Sequence, residues 1–132
     1  MKISVDTNVL ARAVLQDDKK QGEVASKILR KASLIAIYLP CLCELVWILR
    51  RGAKLSKEDV AEMLRDLLAT SNIVMNRLAV EAGLAILETG GDFADGIIAY
   101  EGNWLGGETF VSFDKLAIDP LKKNGKSVKL LS

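Results

Sequence analysis

The chain has 132 residues, half of them hydrophobic, which suits one globular domain over residues 1–132 with a core of its own and excludes a disordered chain. Lys and Arg number 18 against 17 Asp and Glu, so the bulk charge carries no signature of nucleic-acid binding and does not exclude a local basic patch. Histidine is absent, which excludes Ser-His-Asp and Cys-His nucleophiles and histidine-ligated zinc; an enzyme built on this chain would work with carboxylates, lysine or a metal.

In chain order, Lys2 to Val5 reads as a buried strand, and Val9, Leu10, Ala13 and Val14 recur at helical spacing, which predicts a helix from Thr7 to about Leu15. Asp6-Thr7-Asn8 stands between them, at the carboxyl end of a first strand, where open α/β sheets place their active sites. The plainer alternative is that Asp6 or Thr7 caps the helix. Val24, Ala25, Ile28 and Leu29 predict a second helix to about Ala32. Leu34 to Leu39 has strand length and composition, and Pro40 suits the first turn of a third helix running to about Arg51 and ending near Gly52. Ser56-Lys57-Glu58-Asp59 resembles a capping box, opening a helix with Val60, Met63, Leu64, Leu67 and Leu68 inside. Then follow a strand at Asn72–Met75, a helix from Leu78 to about Glu88, a helix opened by Asp92 through about Asn103, and strands at Thr109–Ser112 and Val128–Leu131. Lys122 to Lys126 reads as a loop. This alternation predicts a three-layer α/β fold, a central and mostly parallel sheet flanked by helices.

No apolar run reaches membrane-spanning length, and Asp6 and Arg12 interrupt the apolar N-terminus, so neither a membrane span nor a signal peptide is expected. Cys41 and Cys43, two apart on a predicted helix, point to different sides and suit neither a disulfide nor a zinc knuckle. Reduced thiols and no export signal imply a cytoplasmic protein.

Several acids resist a purely local explanation. Glu44 lies in Leu39-Pro40-Cys41-Leu42-Cys43-Glu44-Leu45-Val46-Trp47-Ile48-Leu49, which reads as a helix apolar nearly all round and hence buried. A lone carboxylate there is costly unless it is paired or binds a metal, and its neighbours at three and four residues include no cation. A tertiary salt bridge to Arg12 or Lys115 is the alternative. Asp92 and Asp95 share one face of a helix start, where capping is routine but two like charges repel. Asp114 follows a strand and is again either a turn residue or a ligand. One cluster of oxygen donors would account for Asp6, Glu44, Asp95 with Asp92, and Asp114 together. Carboxylates without His or Cys select Mg²⁺ or Mn²⁺ and suit phosphoryl chemistry.

The ordered set Val5-Asp6-Thr7-Asn8-Val9-Leu10-Ala11-Arg12, Cys43-Glu44-Leu45-Val46-Trp47-Ile48-Leu49-Arg50, Asp92-Phe93-Ala94-Asp95-Gly96-Ile97-Ile98-Ala99 and Ser112-Phe113-Asp114-Lys115 resembles that of PIN-domain ribonucleases, and within them the toxins of VapBC-type toxin–antitoxin pairs. The resemblance implies that Asp6, Glu44, Asp95 and Asp114 are catalytic metal ligands, with Asp92 an accessory acid and Thr7, Asn8 and Ser112 orienting the ligands. Arg12, Arg50, Arg51 and Lys115 are candidates for substrate phosphate contact. It also implies an RNA substrate cut to 5′-phosphate and 3′-hydroxyl ends by a metal-activated water, a homodimer, and a cognate antitoxin. Ser112 stands where threonine is more usual in that family, and Gly96 where alanine or another small residue is, which would loosen the helix turn.

Two other readings stay open. A haloacid-dehalogenase-like phosphohydrolase also begins with a strand and an aspartate, but it needs an acid/base aspartate two residues on, where this chain has Asn8. A catalytically silent α/β binding module would use the same acids only as caps and salt bridges.

Overall fold

The computed structural model describes all residues, 1–132. Five strands and seven helices alternate along the chain, with one π-helical turn among them. Two compact units, Met1–Asn76 and Arg77–Ser132, are described in turn.

In the first unit, β1 (Lys2–Ser4) pairs in parallel with β2 (Leu34–Ala36), Ile3 opposite Ile35, and β2 pairs in parallel with β3 (Ile73–Val74), Ile35 opposite Ile73. Parallel neighbours need long crossovers. The first is α1 (Thr7–Leu15) with α2 (Lys19–Lys31); the second is α3 (Leu39–Trp47), the π turn Ile48–Gly52 and α4 (Lys57–Ala69). The starts of α1, α2 and α4 are fixed by side chains that accept orphan backbone N–H groups, Asp6 from Val9, Asp18 from Gln21 and Ser56 from Asp59, whereas α3 starts after Tyr38 with no side-chain cap and with Pro40 in its first turn. Leu10, Ile35, Leu42, Leu45, Leu49, Val60 and Leu64 are buried.

In the second unit, α5 (Arg77–Glu88) packs on α6 (Phe93–Trp104), and β4 (Phe110–Ser112) runs through α7 (Lys115–Lys123) into a parallel β5 (Val128–Leu130). Val80, Ile86, Leu87, Phe93, Ile97, Ile118 and Leu121 are buried. Every strand pair is parallel, and 62% of the residues are helical against 11% in strands, so the helices supply most of the buried side chains of this α/β fold.

Four expectations change. Strand β1 is not buried: Lys2 and Ser4 are exposed and Ile3 is half-buried. Strand β2 stops at Ala36, because helix α3 starts at Leu39 with Pro40 in its first turn. Helix α3 is not apolar all round in its setting: Leu39, Leu42, Leu45 and Val46 are buried, Cys41 and Cys43 are half-buried, and Pro40, Glu44 and Trp47 face out. Finally, Lys115–Lys123 is a helix, capped by Asp114 and carrying the buried Pro120 inside it. A proline at that position removes one ladder hydrogen bond, which burial among Ile118 and Leu121 offsets.

Candidate metal centre

Each unit carries its own group of acids. In the first, Asp6 is the N-cap of α1, with extended backbone (φ −87°, ψ 172°), and its Oδ1 accepts the Val9 N–H at 3.2 Å. Thr7, the one buried polar residue of the chain, turns inward. Its hydroxyl hydrogen-bonds the Cys41 side chain on α3. Cys41 is one helical turn before Glu44, so the Thr7–Cys41 bond ties the start of α1, where Asp6 sits, to the face of α3 that carries Glu44. Burial pushes the Cys41 thiol up from its ordinary value, the Thr7 bond opposes this, and the charges of Asp6 and then Glu44 push the same way as burial. The thiol thus lies close enough to both acids to sense their charge. Its i, i+3 spacing from Glu44 is the sequence signal for that.

Glu44 itself is exposed, which corrects the premise of a buried carboxylate. The cause is that Pro40, Glu44 and Trp47 share the outward face of α3 while the leucines face in. Burial therefore does not require a partner for Glu44. Arg12 does not serve it: its guanidinium bonds Asp17 (3.2 Å) and Gln21 (2.7 Å). The same two bonds hold Arg12 at a groove of about 510 Å³ between α1 and α2, whose lining includes Asp6, Asn8, Val9, Ala25 and Ile28.

The second unit brings together Asp92, Asp95 and Asp114. Asp92 caps α6, accepting from Ala94 N–H at 3.1 Å; Asp114 caps α7, accepting from Leu116 N–H at 2.9 Å. The Asp114 N–H in turn donates to the Ser112 hydroxyl at 2.9 Å, so Ser112 orients the start of α7 from the end of β4. Asp95, one turn into α6, is half-buried, and its carboxyl is pushed up to about 6 by burial and by the negative charges of Asp92 and Asp114. A carboxyl held that way by burial and two neighbouring acids has the environment of a group that a cation would return to its ionised form.

Gly96 has a different role from the one expected. A Cβ there would stand 2.8 Å from the Gly83 Cα and 2.9 Å from the Ala82 carbonyl oxygen, so glycine lets α6 lie directly on the α5 backbone beside Asp95.

Asp6, Asp92 and Asp114 thus all cap helices, and the capping alternatives hold for them. Capping uses one oxygen lone pair of a carboxylate and leaves the rest to a ligand. No three His, Cys, Asp or Glu side chains form a ready-made metal cage. The donors in both groups are hard oxygens, the ligand type that Mg²⁺ and Mn²⁺ take, and Asp95 is the one among them whose carboxyl is pushed up by burial and by neighbouring negative charge. Of the cations singled out in the sequence, Arg51 and Lys115 are exposed, and Arg50 donates one nitrogen to the Leu55 carbonyl at 2.9 Å. No helix is long and apolar enough to cross a membrane, and both cysteines are free thiols.

Compared with known proteins, residues 3–115 match the family model of the PIN domain. Nothing matches among curated proteins or among solved structures.

Proposed function

The chain belongs to the PIN-domain family, generally a metal-dependent nuclease fold that acts on RNA or DNA, and we propose that this member is an endoribonuclease and the toxin of a VapBC-type pair. The observation that carries the reading is Asp95 itself, a half-buried carboxyl one turn into α6, pushed up to about 6 by burial first and then by the negative charges of Asp92, three residues before it, and Asp114. The proposed metal ligands are Asp6, Glu44, Asp95 and Asp114, with Asp92 as an accessory acid. Mg²⁺ or Mn²⁺ bound to them would polarise the phosphodiester and make a water acidic enough to attack it.

The chain's own residues prepare that chemistry. The N-cap bonds hold Asp6 and Asp114 in single orientations before any ligand arrives. Ser112 fixes the backbone of Asp114, Thr7 anchors the segment that carries Asp6, and Asn8 lines the groove together with Asp6. Arg51 and Lys115 are free to contact phosphate, while Arg12 offers a pre-oriented guanidinium. The products would carry 5′-phosphate and 3′-hydroxyl ends. A homodimer, a cognate antitoxin and a cytoplasmic site of action complete the reading.

The test is cleavage of RNA and of DNA of the same sequence by purified protein, with chelator, with Mg²⁺ and with Mn²⁺, alongside Asp95→Asn. RNA cleavage that needs the metal and Asp95 supports the proposal. Cleavage that survives Asp95→Asn, or none at protein concentrations well above contaminant level, overturns it. A silent binding module is the second reading, favoured by the capping bonds of Asp6, Asp92 and Asp114. It predicts that asparagine at these positions changes nothing, since asparagine caps as well as aspartate. If the protein is a toxin, its induction in cells should arrest growth, and the map of cleaved RNA would name the target.

A further inference from the structure

The outward face of α3 and the π turn behind it combine an exposed aromatic ring with a run of cations. Trp47 is 62% exposed, an unusual position for the largest apolar side chain. The other tryptophan, Trp104, is also exposed, but its indole N–H is bonded to the Tyr100 hydroxyl at 2.8 Å. Trp47 follows Glu44 by three residues, so both stand on one face of the helix. Arg51 follows Trp47 by four, through a turn widened to π geometry by the Ala53 N–H to Ile48 carbonyl bond at 2.9 Å. Single π turns of this kind gather at functional sites.

Charge singles out the same stretch. The whole chain has a net charge of +1, yet no acid lies between Glu44 and Glu58, a span that holds Arg50, Arg51, Lys54 and Lys57. The turn is held rigidly: Arg50 bonds the Leu55 carbonyl at 2.9 Å, and the Leu55 N–H bonds the Leu49 carbonyl at 2.9 Å. Lys54 takes the left-handed conformation at φ 57°, where a non-glycine residue is strained, so its backbone is set by the turn and not by its own preference. The result is an exposed aromatic face followed by exposed cations on a backbone turn of fixed shape, beginning one helical turn from a proposed metal ligand.

We propose that Trp47, with Arg51 and Lys54, binds a single-stranded segment of the RNA substrate, one base stacked on the indole and the flanking phosphates on the cations; this rests on the ribonuclease reading above. Stacking on an aromatic face tolerates any base but requires that base to be unpaired, so this surface selects single strands over duplex. Arg51 and Lys54, with Arg50 beside them and no acid among them, match a polyanion better than a second copy of this near-neutral chain.

The experiment is fluorescence anisotropy of a labelled single-stranded RNA oligonucleotide with the full chain in chelator, where binding is read without cleavage. Trp47→Ala should weaken binding on the order of tenfold and Trp47→Phe should restore most of it. Arg51→Ala with Lys54→Ala should lower the slope of log affinity against log salt by about 1.4, roughly 0.7 for each phosphate no longer neutralised. Arg50 is left intact because it pins the turn. In a Trp104→Phe background, the remaining Trp47 emission should be quenched by the oligonucleotide and not by a duplex of the same length. Wild-type affinity in Trp47→Ala overturns the proposal. So does a Trp47→Ala protein that sediments at a smaller size while binding RNA unchanged, which would assign the face to a second copy. RNA binding through Trp47 without any metal-supported cleavage would sink the nuclease reading and leave this interface standing. Cleavage with an affinity indifferent to Trp47 would do the reverse.

Discussion

Gly96 of α6 lies against Gly83 of α5 so closely that a Cβ on Gly96 would stand 2.8 Å from the Gly83 Cα. The obstacle is backbone, which cannot swing aside as a side chain could. Gly96→Ala should therefore destabilise the protein by about 1–3 kcal/mol, the usual cost of overpacking, although alanine alone would favour the helix by about 1 kcal/mol. Urea denaturation reads the balance. A neutral or stabilised variant would show that α5 and α6 can separate there without cost.

The half-buried Asp95 should make the metal-free protein less stable as pH rises. Its folded pKa, about 6, lies above the unfolded value, which is about 3.9. Between those two values the native state keeps a proton that the unfolded chain has lost, so stability falls as pH climbs through the window and the penalty is complete above it. Water screening at this partly exposed carboxyl keeps the effect smaller than for a fully buried acid. Melting temperatures in chelator from pH 4 to 7 should drop more steeply for wild type than for Asp95→Asn. Parallel curves would mean that neither burial nor the charges of Asp92 and Asp114 hold the Asp95 carboxyl above its ordinary value.

Exposure of Glu44 separates its two possible roles. A residue outside the core, with its side chain in solvent, contributes little to stability. Glu44→Gln should leave the melting temperature within experimental error and abolish metal-dependent cleavage. A large loss of stability would instead mean that Glu44 is held in a structural ion pair.

Much of the fold is legible in the chain because local rules and tertiary structure agree. The span Thr7–Leu15 emerges from spacing alone, and the Ser56 and Asp92 caps are where turn chemistry puts them. Hydrophobicity misplaces Glu44 because it counts Cys41, Trp47 and Ile48 as inward residues, and none of the three is fully buried. Helix α7 is hidden by Pro120, a residue that ordinarily breaks a helix but here helps fill the space beside Gly91, where a Cβ would meet its ring at 2.7 Å. Gly96 looks like a weakness of its own helix, since a close approach to another element leaves no trace in local sequence. The acids are legible as residues, but not the division of labour among them: three cap helices, Asp95 is raised by burial and then by its neighbours' charge, and Glu44 stands in the open.

That division can be tested by pairing substitutions at Asp114. Its Oδ1 accepts the Leu116 N–H, and its own N–H is held by Ser112. Asparagine preserves the cap and alanine removes it, so Asp114→Ala should cost about 1 kcal/mol of stability in chelator, whereas Asp114→Asn should cost little and should relieve part of the repulsion on Asp95. Added Mg²⁺ or Mn²⁺ makes the second half of the comparison. A metal bound only to the native state, at a free concentration 100 times its dissociation constant, raises stability by about 2.7 kcal/mol, a melting-temperature rise on the order of 10 °C for a domain of this size. Wild type should show that rise, and both variants should lose much of it, because each lacks a carboxylate oxygen pair. Asp6→Asn should behave like Asp114→Asn, since it too keeps its cap to Val9. If the asparagine variants instead respond to metal as wild type does, then capping is the whole role of Asp6 and Asp114, and the metal-dependent reading of both acids is wrong.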